Sequence, residues 1–145
     1  MRLSRHTDYA LRVLIHLAAD PDRRASINEI ARAYAISENH LMKIVHLLGR
    51  AGFIRTVRGR GGGIMLARPA GEISVGEAVR HTEPDLNLAD CDGCVIAPAC
   101  GLTGALAEAL GAFLAVLDRY TIADVTRRQG ELARLLGLIP ADSLS

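Results

Sequence analysis

Three thiols lie within ten residues of this chain, at Cys91, Cys94 and Cys100, and the sequence holds no other cysteine. They are separated by two residues and then by five, in the stretch Asp90-Cys91-Asp92-Gly93-Cys94-Val95-Ile96-Ala97-Pro98-Ala99-Cys100. Glycine and proline interrupt the run, so it reads as a loop, and a loop can wrap a small soft object with several sulfurs pointing inward. Thiolates hold zinc or an iron–sulfur cluster; both normally take four ligands, so a fourth must come from elsewhere. Two blander readings use the same residues: three unrelated buried cysteines, or one disulfide with a thiol left over. Tight grouping in a chain otherwise free of cysteine favours a metal or cluster site.

The rest of the chain must position that loop. At 145 residues it makes one domain, or a small domain with an appendage. Half the residues are hydrophobic, yet there is no Trp and aromatics are 3%, so aliphatic packing carries the core. The opening Met1-Arg2-Leu3-Ser4-Arg5-His6-Thr7-Asp8 leads into a charged amphipathic pattern, unlike a secretory leader. An odd, tight group of thiols without such a leader fits a reducing, cytoplasmic location. The net charge of +1 hides an asymmetry. Residues 1–68 carry 12 Lys/Arg against 5 Asp/Glu, and residues 69–145 carry 5 against 11. The first part suits a polyanion, and the acidic second part has another task.

Ala10, Leu11, Leu14, Leu17 and Ala18 recur at helical spacing until Asp20-Pro21-Asp22 stops them. Ser26-Ile27-Asn28-Glu29 has the form of a capping box, with Ile27, Ile30, Ala31 and Tyr34 on one face of a short helix. Ser37 opens the next helix, with Leu41, Ile44, Val45 and Leu48 inward. Two short helices joined around Ala35-Ile36 make a helix-turn-helix. Asn39, His40, Lys43, His46 and Arg50 fall outside the apolar stripe of the second. Those near the helix start, Ser37, Asn39, His40 and Lys43, are groups that can contact phosphates or base edges in a major groove. Phe53–Val57 and Ile64–Leu66 read as strands joined by Arg58-Gly59-Arg60-Gly61-Gly62-Gly63, a wing. Gly61 and its neighbours let the backbone approach phosphate, and Arg58 and Arg60 suit the negative minor groove.

A short helix is expected from Ser74 to His81, followed by an acidic linker with Glu83, Asp85 and Asp90. From Leu102 to Leu117 only Glu108 is charged; Leu102, Leu106, Leu110, Phe113 and Leu117 form one stripe and alanines fill much of the remainder. A helix apolar nearly all round is buried on more than one side. It is short for a membrane span and contains a carboxylate, so the expected cover is the same helix of a second copy, giving a symmetric dimer. Ile122–Arg128 and Glu131–Leu138 read as closing helices. The expected class is mainly α with a small β-hairpin. It divides into a winged helix-turn-helix DNA-binding domain over 1–70, a short helix and cysteine loop over 71–101, a dimerisation helix with closing helices over 102–138, and a loose tail over 139–145.

Several stretches carry a family resemblance. The opening Met1–Arg12, Ser37–Ile44, Val57–Ile64, Ile96-Ala97-Pro98-Ala99-Cys100 and Leu117–Asp124 resemble the iron–sulfur winged-helix repressors of the Rrf-type family, and most of all its nitric-oxide-sensing members. The likeness runs over nearly the whole chain. It implies a cytoplasmic homodimer that binds a double-stranded, palindromic operator and carries one cluster per subunit on Cys91, Cys94 and Cys100. The cluster is 4Fe–4S in the first instance, with 2Fe–2S as the alternative. Nitric oxide is the implied signal, and nitrosylation or loss of the cluster relieves operator binding. In such members an acidic residue of the first helix, supplied across the dimer, can be the fourth ligand; here the matching position is Asp8. Spacing alone offers Asp8 a simpler use, an i,i+4 ion pair with Arg12, and Asp90, Asp92 and His81 are rival ligands. One departure stands out: only two residues separate the first two cysteines, fewer than those members lead one to expect, so the cluster loop is shortened.

The related alternative is a regulator that reports iron–sulfur cluster supply or redox status. A regulator with structural zinc differs by lacking visible absorption. A ferredoxin-like electron carrier has no use for an Arg-Gly wing. No nucleophile–base pair or paired-carboxylate pattern marks an enzyme, and no membrane partner is expected.

Overall fold

Ser4, Ser26, Ser37 and Ser74 open four helices in the same way. Each hydroxyl accepts the backbone N–H three residues on, from Thr7 at 3.2 Å, Glu29 at 3.0 Å, His40 at 3.3 Å and Glu77 at 2.9 Å, satisfying one of the donors a helix start leaves free. In the computed structural model, which describes residues 1–139, these helices are α1 (Arg5–Ala19), α2 (Ile27–Tyr34), α3 (Glu38–Arg50) and α4 (Val75–Thr82). Between α3 and α4 lie β1 (Ile54–Val57) and β2 (Gly63–Leu66); after α4 come α5 (Leu102–Asp118), α6 (Ile122–Val125) and α7 (Gln129–Leu135). The tail expected over 139–145 lies, from residue 140 on, outside the described residues. The two closing helices are present but shorter than periodicity suggests.

The strands pair antiparallel, Ile54 with Leu66 through Val57 with Gly63. Ala25, in the α1–α2 connection, extends this ribbon: Ala25 N–H donates to the Ile64 carbonyl at 3.1 Å and Ile64 N–H to the Ala25 carbonyl at 2.8 Å. A side chain at Gly63 would put its first carbon 2.6 Å from that Ala25 oxygen, so this crossing needs glycine. The helix-turn-helix turn is made by Ala35, left-handed at φ 54°, whose N–H closes α2 on Ala31 and Arg32.

Val13, Leu14, Leu17, Ile30, Leu41, Ile44, Leu48 and Phe53 are fully buried around α1. Ile73, Ala78 and Ile122, from beyond residue 70, complete the same core. Within that later segment, Ile122 N–H donates to the Ile73 carbonyl and Val75 N–H to the Tyr120 carbonyl, each at 2.8 Å. The start of α1 is tied to it by the Glu83 carboxylate, which accepts from Ser4 N–H at 3.1 Å and Ser4 Oγ–H at 3.2 Å.

The Ser26–Glu29 capping box forms only by half. Ser26 accepts from Glu29 N–H, but the Glu29 carboxylate turns to Arg23, whose Nη1 donates at 2.7 Å, and to His16 Nε2 at 3.1 Å. Two cationic or ring donors outcompete one backbone N–H. His16 is 1% exposed and its Nδ1 has no partner, so the neutral ring with a proton on Nε2 fits the site, while a second proton would be buried without an acceptor. Burial lowers the His16 pKa from its ordinary 6.5, with the Glu29 hydrogen bond opposing. Arg23 lowers that of Glu29 from its ordinary 4.5. Both folded pKa values sit below their unfolded ones. The His16 contribution to stability is therefore present above about pH 6.5 and is lost as pH falls through its folded value; Glu29 behaves likewise at lower pH. The midpoint of thermal unfolding is expected to fall between pH 7 and pH 5.5, and His16→Gln to flatten that slope. An unchanged slope in the variant would remove His16 as its source.

Candidate functional site

Helix α3 presents two faces for the reason its sequence suggests. Leu41, Ile44, Val45 and Leu48 are buried, and Ser37, Asn39, Lys43, His46 and Arg50 are exposed on the other side. Lys43 and Asn39 lie in the first turns, where a recognition helix meets base edges and phosphates. The Ser37 oxygen is already engaged by the cap, which leaves its hydroxyl proton to donate outward. His40 differs from the expectation. Its ring is half-buried and turned to α1, stacked on His6 at 6.2 Å between centroids and edge-on to Tyr9 at 5.2 Å.

The wing carries Arg58, Gly59, Arg60 and Gly61 at its exposed tip, and Gly61 takes the left-handed φ of 74° that lets the tip turn so tightly. A residue that sequence spacing does not assign to the wing is Arg24: it is exposed, and its Nη1 donates to the Gly61 carbonyl at 3.2 Å. The basic pair Arg23-Arg24 is visible in the sequence, but nothing local tells that 24 meets 61 while 23 turns inward to Glu29. Three arginines thus sit on or against one ribbon end.

The cysteine stretch is a loop, as expected, wound through successive turns. Cys94 N–H donates to the Cys91 carbonyl at 3.2 Å, Ala97 N–H to Cys94 at 3.2 Å, and Cys100 N–H to Ala97 at 3.4 Å. All three thiols are free; Cys91 and Cys100 are half-buried and Cys94 is exposed. Cys91 Sγ lies 3.4 Å from Thr103 Oγ1, the first turn of α5. Neither blander reading survives, since there is no disulfide and no cysteine is buried. Cys91 also borders a groove of about 600 Å³ between the acidic 85–92 segment and the Thr103, Leu106 and Leu110 face of α5. Among the described residues no three His, Cys, Asp or Glu side chains converge on one point. The donor chemistry, three free thiols on an open loop with one carboxylate, Asp92, between the first two, fits a soft iron centre; the single chain does not draw these groups together. Of the rival ligands, Asp90 accepts from Asp92 N–H at 3.2 Å, and His81 packs edge-on to Phe53 at 5.3 Å. Asp8 forms the ion pair its spacing permits: Arg12 Nε and Nη2 donate to the two carboxylate oxygens at 3.0 and 3.2 Å.

Helix α5 is the least covered element. Leu114 alone is buried within the chain, against α4, and the stripe expected to be packed leaves Leu102 at 58% and Phe113 at 41% exposure, with Val116 at 44% beside them. No helix among the described residues is long and apolar enough to cross a membrane.

Comparison with known proteins reaches almost the full length. A family profile, Rrf2, described as an iron-dependent transcriptional regulator, matches residues 3–128. The chain is 49% identical over 142 residues to the HTH-type transcriptional regulator NsrR of Bacillus subtilis (strain 168), covering 94% of this chain and 97% of that one. Identity and coverage are the same for NsrR of Geobacillus kaustophilus (strain HTA426). Among solved structures it resembles CymR, the global cysteine regulator of B. subtilis, with a TM-score of 0.72 at 25% identity, covering 88% of this chain and 98% of that one. It also resembles T. potens IscR, with a TM-score of 0.72 at 26% identity, covering 91% and 90%.

Proposed function

Because the chain belongs to the Rrf2 family of transcriptional regulators, and is therefore not an enzyme, we propose that it is a cytoplasmic, homodimeric repressor whose operator binding depends on an iron–sulfur cluster and is relieved by nitric oxide. The observation that carries this reading is the position of the three free thiols. They lie on an open loop between the core that holds α3 and the wing, and the uncovered helix α5.

The parts divide the work. In the division proposed, residues 1–70 read DNA, 71–101 carry the cluster and 102–138 pair the subunits. Asn39 reads base edges while Lys43 and the Ser37 hydroxyl hold phosphate. Arg58, Arg60 and the Gly61 backbone serve the minor groove or its flanking phosphates, with Arg24 buttressing the tip. Two copies joined through α5 face a palindromic site with two half-sites. Cys91, Cys94 and Cys100 hold the cluster, 4Fe–4S or 2Fe–2S, and the partner subunit's Asp8 is the proposed fourth ligand. When bound, the cluster supplies iron with which nitric oxide reacts. The chain's own part in the switch is the choice open to Asp8, between Arg12 on its own helix and iron held across the dimer. Were the cluster bound, Cys91, Cys94 and Cys100 would hold it through sulfur and the partner subunit's Asp8 through oxygen, which suits such iron less well. A carboxylate that changes partner shifts the DNA-binding equilibrium only by its differential affinity for the two states.

Operator affinity measured at one salt concentration for the cluster-loaded, nitric-oxide-treated and cluster-free protein tests the reading. A loss of about tenfold or more on treatment is expected, the size of ordinary allosteric coupling. Equal affinity in all three states overturns it, and a colourless protein containing zinc replaces the cluster with a structural ion. The architectural likeness to T. potens IscR supports a second reading, a sensor of cluster supply or redox status, which predicts a response to iron depletion and none to nitric oxide.

For the wing, Arg58→Ala/Arg60→Ala is expected to weaken operator binding. It should also reduce the slope of log affinity against log salt by roughly two, about one for each phosphate no longer neutralised. Undiminished affinity would take the wing out of the mechanism.

A further inference from the structure

Helix α3 buries Leu41 and Ile44 and leaves Met42, which lies between them in the chain, 54% exposed. Of the large hydrophobic side chains in α1 to α4 and the two strands, Met42 is the one that stands open to solvent; the others are buried or half-buried. A single exposed apolar side chain needs no explanation of its own, but the place of this one gives it a use. Asn39 lies three residues before it, Lys43 beside it and His46 four residues after it, and all are exposed, so the four share one open face of the helix over two turns. Glu38, one turn earlier, accepts a hydrogen bond from Asn28 Nδ2 at 2.9 Å, which draws its carboxylate toward α2 and leaves the thioether uncovered.

We propose that Met42 is a specificity-determining residue, and that its thioether covers the 5-methyl group of a thymine in each half-site of the operator. The inference rests on the DNA-reading function proposed above and names one feature of the sequence that is read. A methionine carries no charge and no strong donor or acceptor, so it has nothing to offer a phosphate. The thymine methyl is the one apolar group that the base edges present in the major groove. Covering it with Met42 takes apolar surface of both partners out of water. Cytosine, adenine or guanine in that place would set an amino group or a carbonyl oxygen against the thioether, and a polar group buried without a partner is costly. The flexible, unbranched side chain lets the sulfur and its terminal methyl settle on a small target without forcing the helix to move.

The test uses the full chain, purified anaerobically and kept in one cluster state throughout, with a duplex that the wild-type chain enriches from a random pool. Each thymine of that duplex is replaced in turn by deoxyuridine, which removes the 5-methyl group and keeps every hydrogen-bonding group of the base. Wild type is expected to lose about fourfold in affinity for each methyl removed at one position of the half-site, the worth of one buried methyl. Met42→Ala is expected to bind the unmodified duplex more weakly by a similar factor, to be indifferent to deoxyuridine at that position, and to respond as wild type does everywhere else. Its salt slope stays unchanged, because no phosphate loses a cation. Thermal unfolding of the variant, in which only an exposed side chain is shortened, checks that the fold is intact. If Met42→Ala binds the unmodified duplex as tightly as wild type, or if its losses on deoxyuridine replacement match those of wild type at every position, Met42 does not read a methyl group and the proposal fails. An enriched sequence with no thymine in its half-sites overturns it as well. A wild-type chain that enriches no sequence overturns the DNA-reading premise itself, a failure distinct from these.

Discussion

Replacing any one of Cys91, Cys94 or Cys100 with alanine is expected to leave a folded protein without iron or sulfide and with weakened operator binding. The size of the effect follows from the donor count. In the proposed ligand set, three thiolates and one weaker ligand leave no redundancy, so losing one sulfur removes a large share of the binding free energy, which for thiolate-held structural metals is on the order of 10 kcal/mol in total. The fold is spared for a separate reason. No residue from 90 to 100 is buried, so the loop contributes nothing to the core that a shorter side chain would hollow out. Anaerobic purification followed by iron and sulfide analysis, with thermal unfolding of the cluster-free forms alongside, checks both halves. A variant that kept its full iron content would strike that cysteine from the ligand set. Asp8→Ala should behave differently, retaining cluster on three sulfurs while responding abnormally to nitric oxide.

Phe113→Glu is expected to convert a dimer into folded monomers. Phe113, Leu102 and Val116 stand exposed on a helix whose single buried residue is Leu114, so among the described residues nothing covers their apolar surface, and the proposed dimer would. In a symmetric pair one substitution enters the interface twice. Each buried, unpartnered carboxylate costs about 2 kcal/mol or more, and two together raise the dissociation constant by roughly three orders of magnitude. Because the side chain is exposed within the chain, the monomer should melt as the wild-type monomer does. Sedimentation velocity across a concentration series reads the outcome. An intact dimer with normal operator affinity would remove α5 as the interface, and a monomer that still bound the full operator tightly would show that pairing is dispensable for recognition.

Local pattern foretold much of the architecture. The serine caps, the apolar spacing of α1 to α4, the Arg-Gly wing and the loop character of the thiol stretch are all written within a few residues of where they act. The polar face of α3 was legible for the same reason, since a helix buries its periodic side and exposes the rest. The expectations that failed or bent each concern a side chain with two possible partners. Glu29 left the Ser26 cap for Arg23 and His16. His40, half-buried, also packs against His6 and Tyr9. Arg24, for which the sequence offered no expectation, joined a wing tip 37 positions away.

The sequence by itself determined which groups exist and what each element can bury: three thiols on a loop, a positive first half, an amphipathic helix-turn-helix, and one helix too apolar to stand alone. Only the tertiary structure decided where long, charged or aromatic side chains point. It turned Asp8 onto Arg12, and by running Arg12, Tyr9 and His40 together it joined α1 to the recognition helix. The physical reason is one of range. Helix periodicity and capping are decided by contacts within a turn of chain, whereas a flexible charged side chain reaches several ångströms and takes the strongest partner that folding brings near, wherever that partner lies in the sequence.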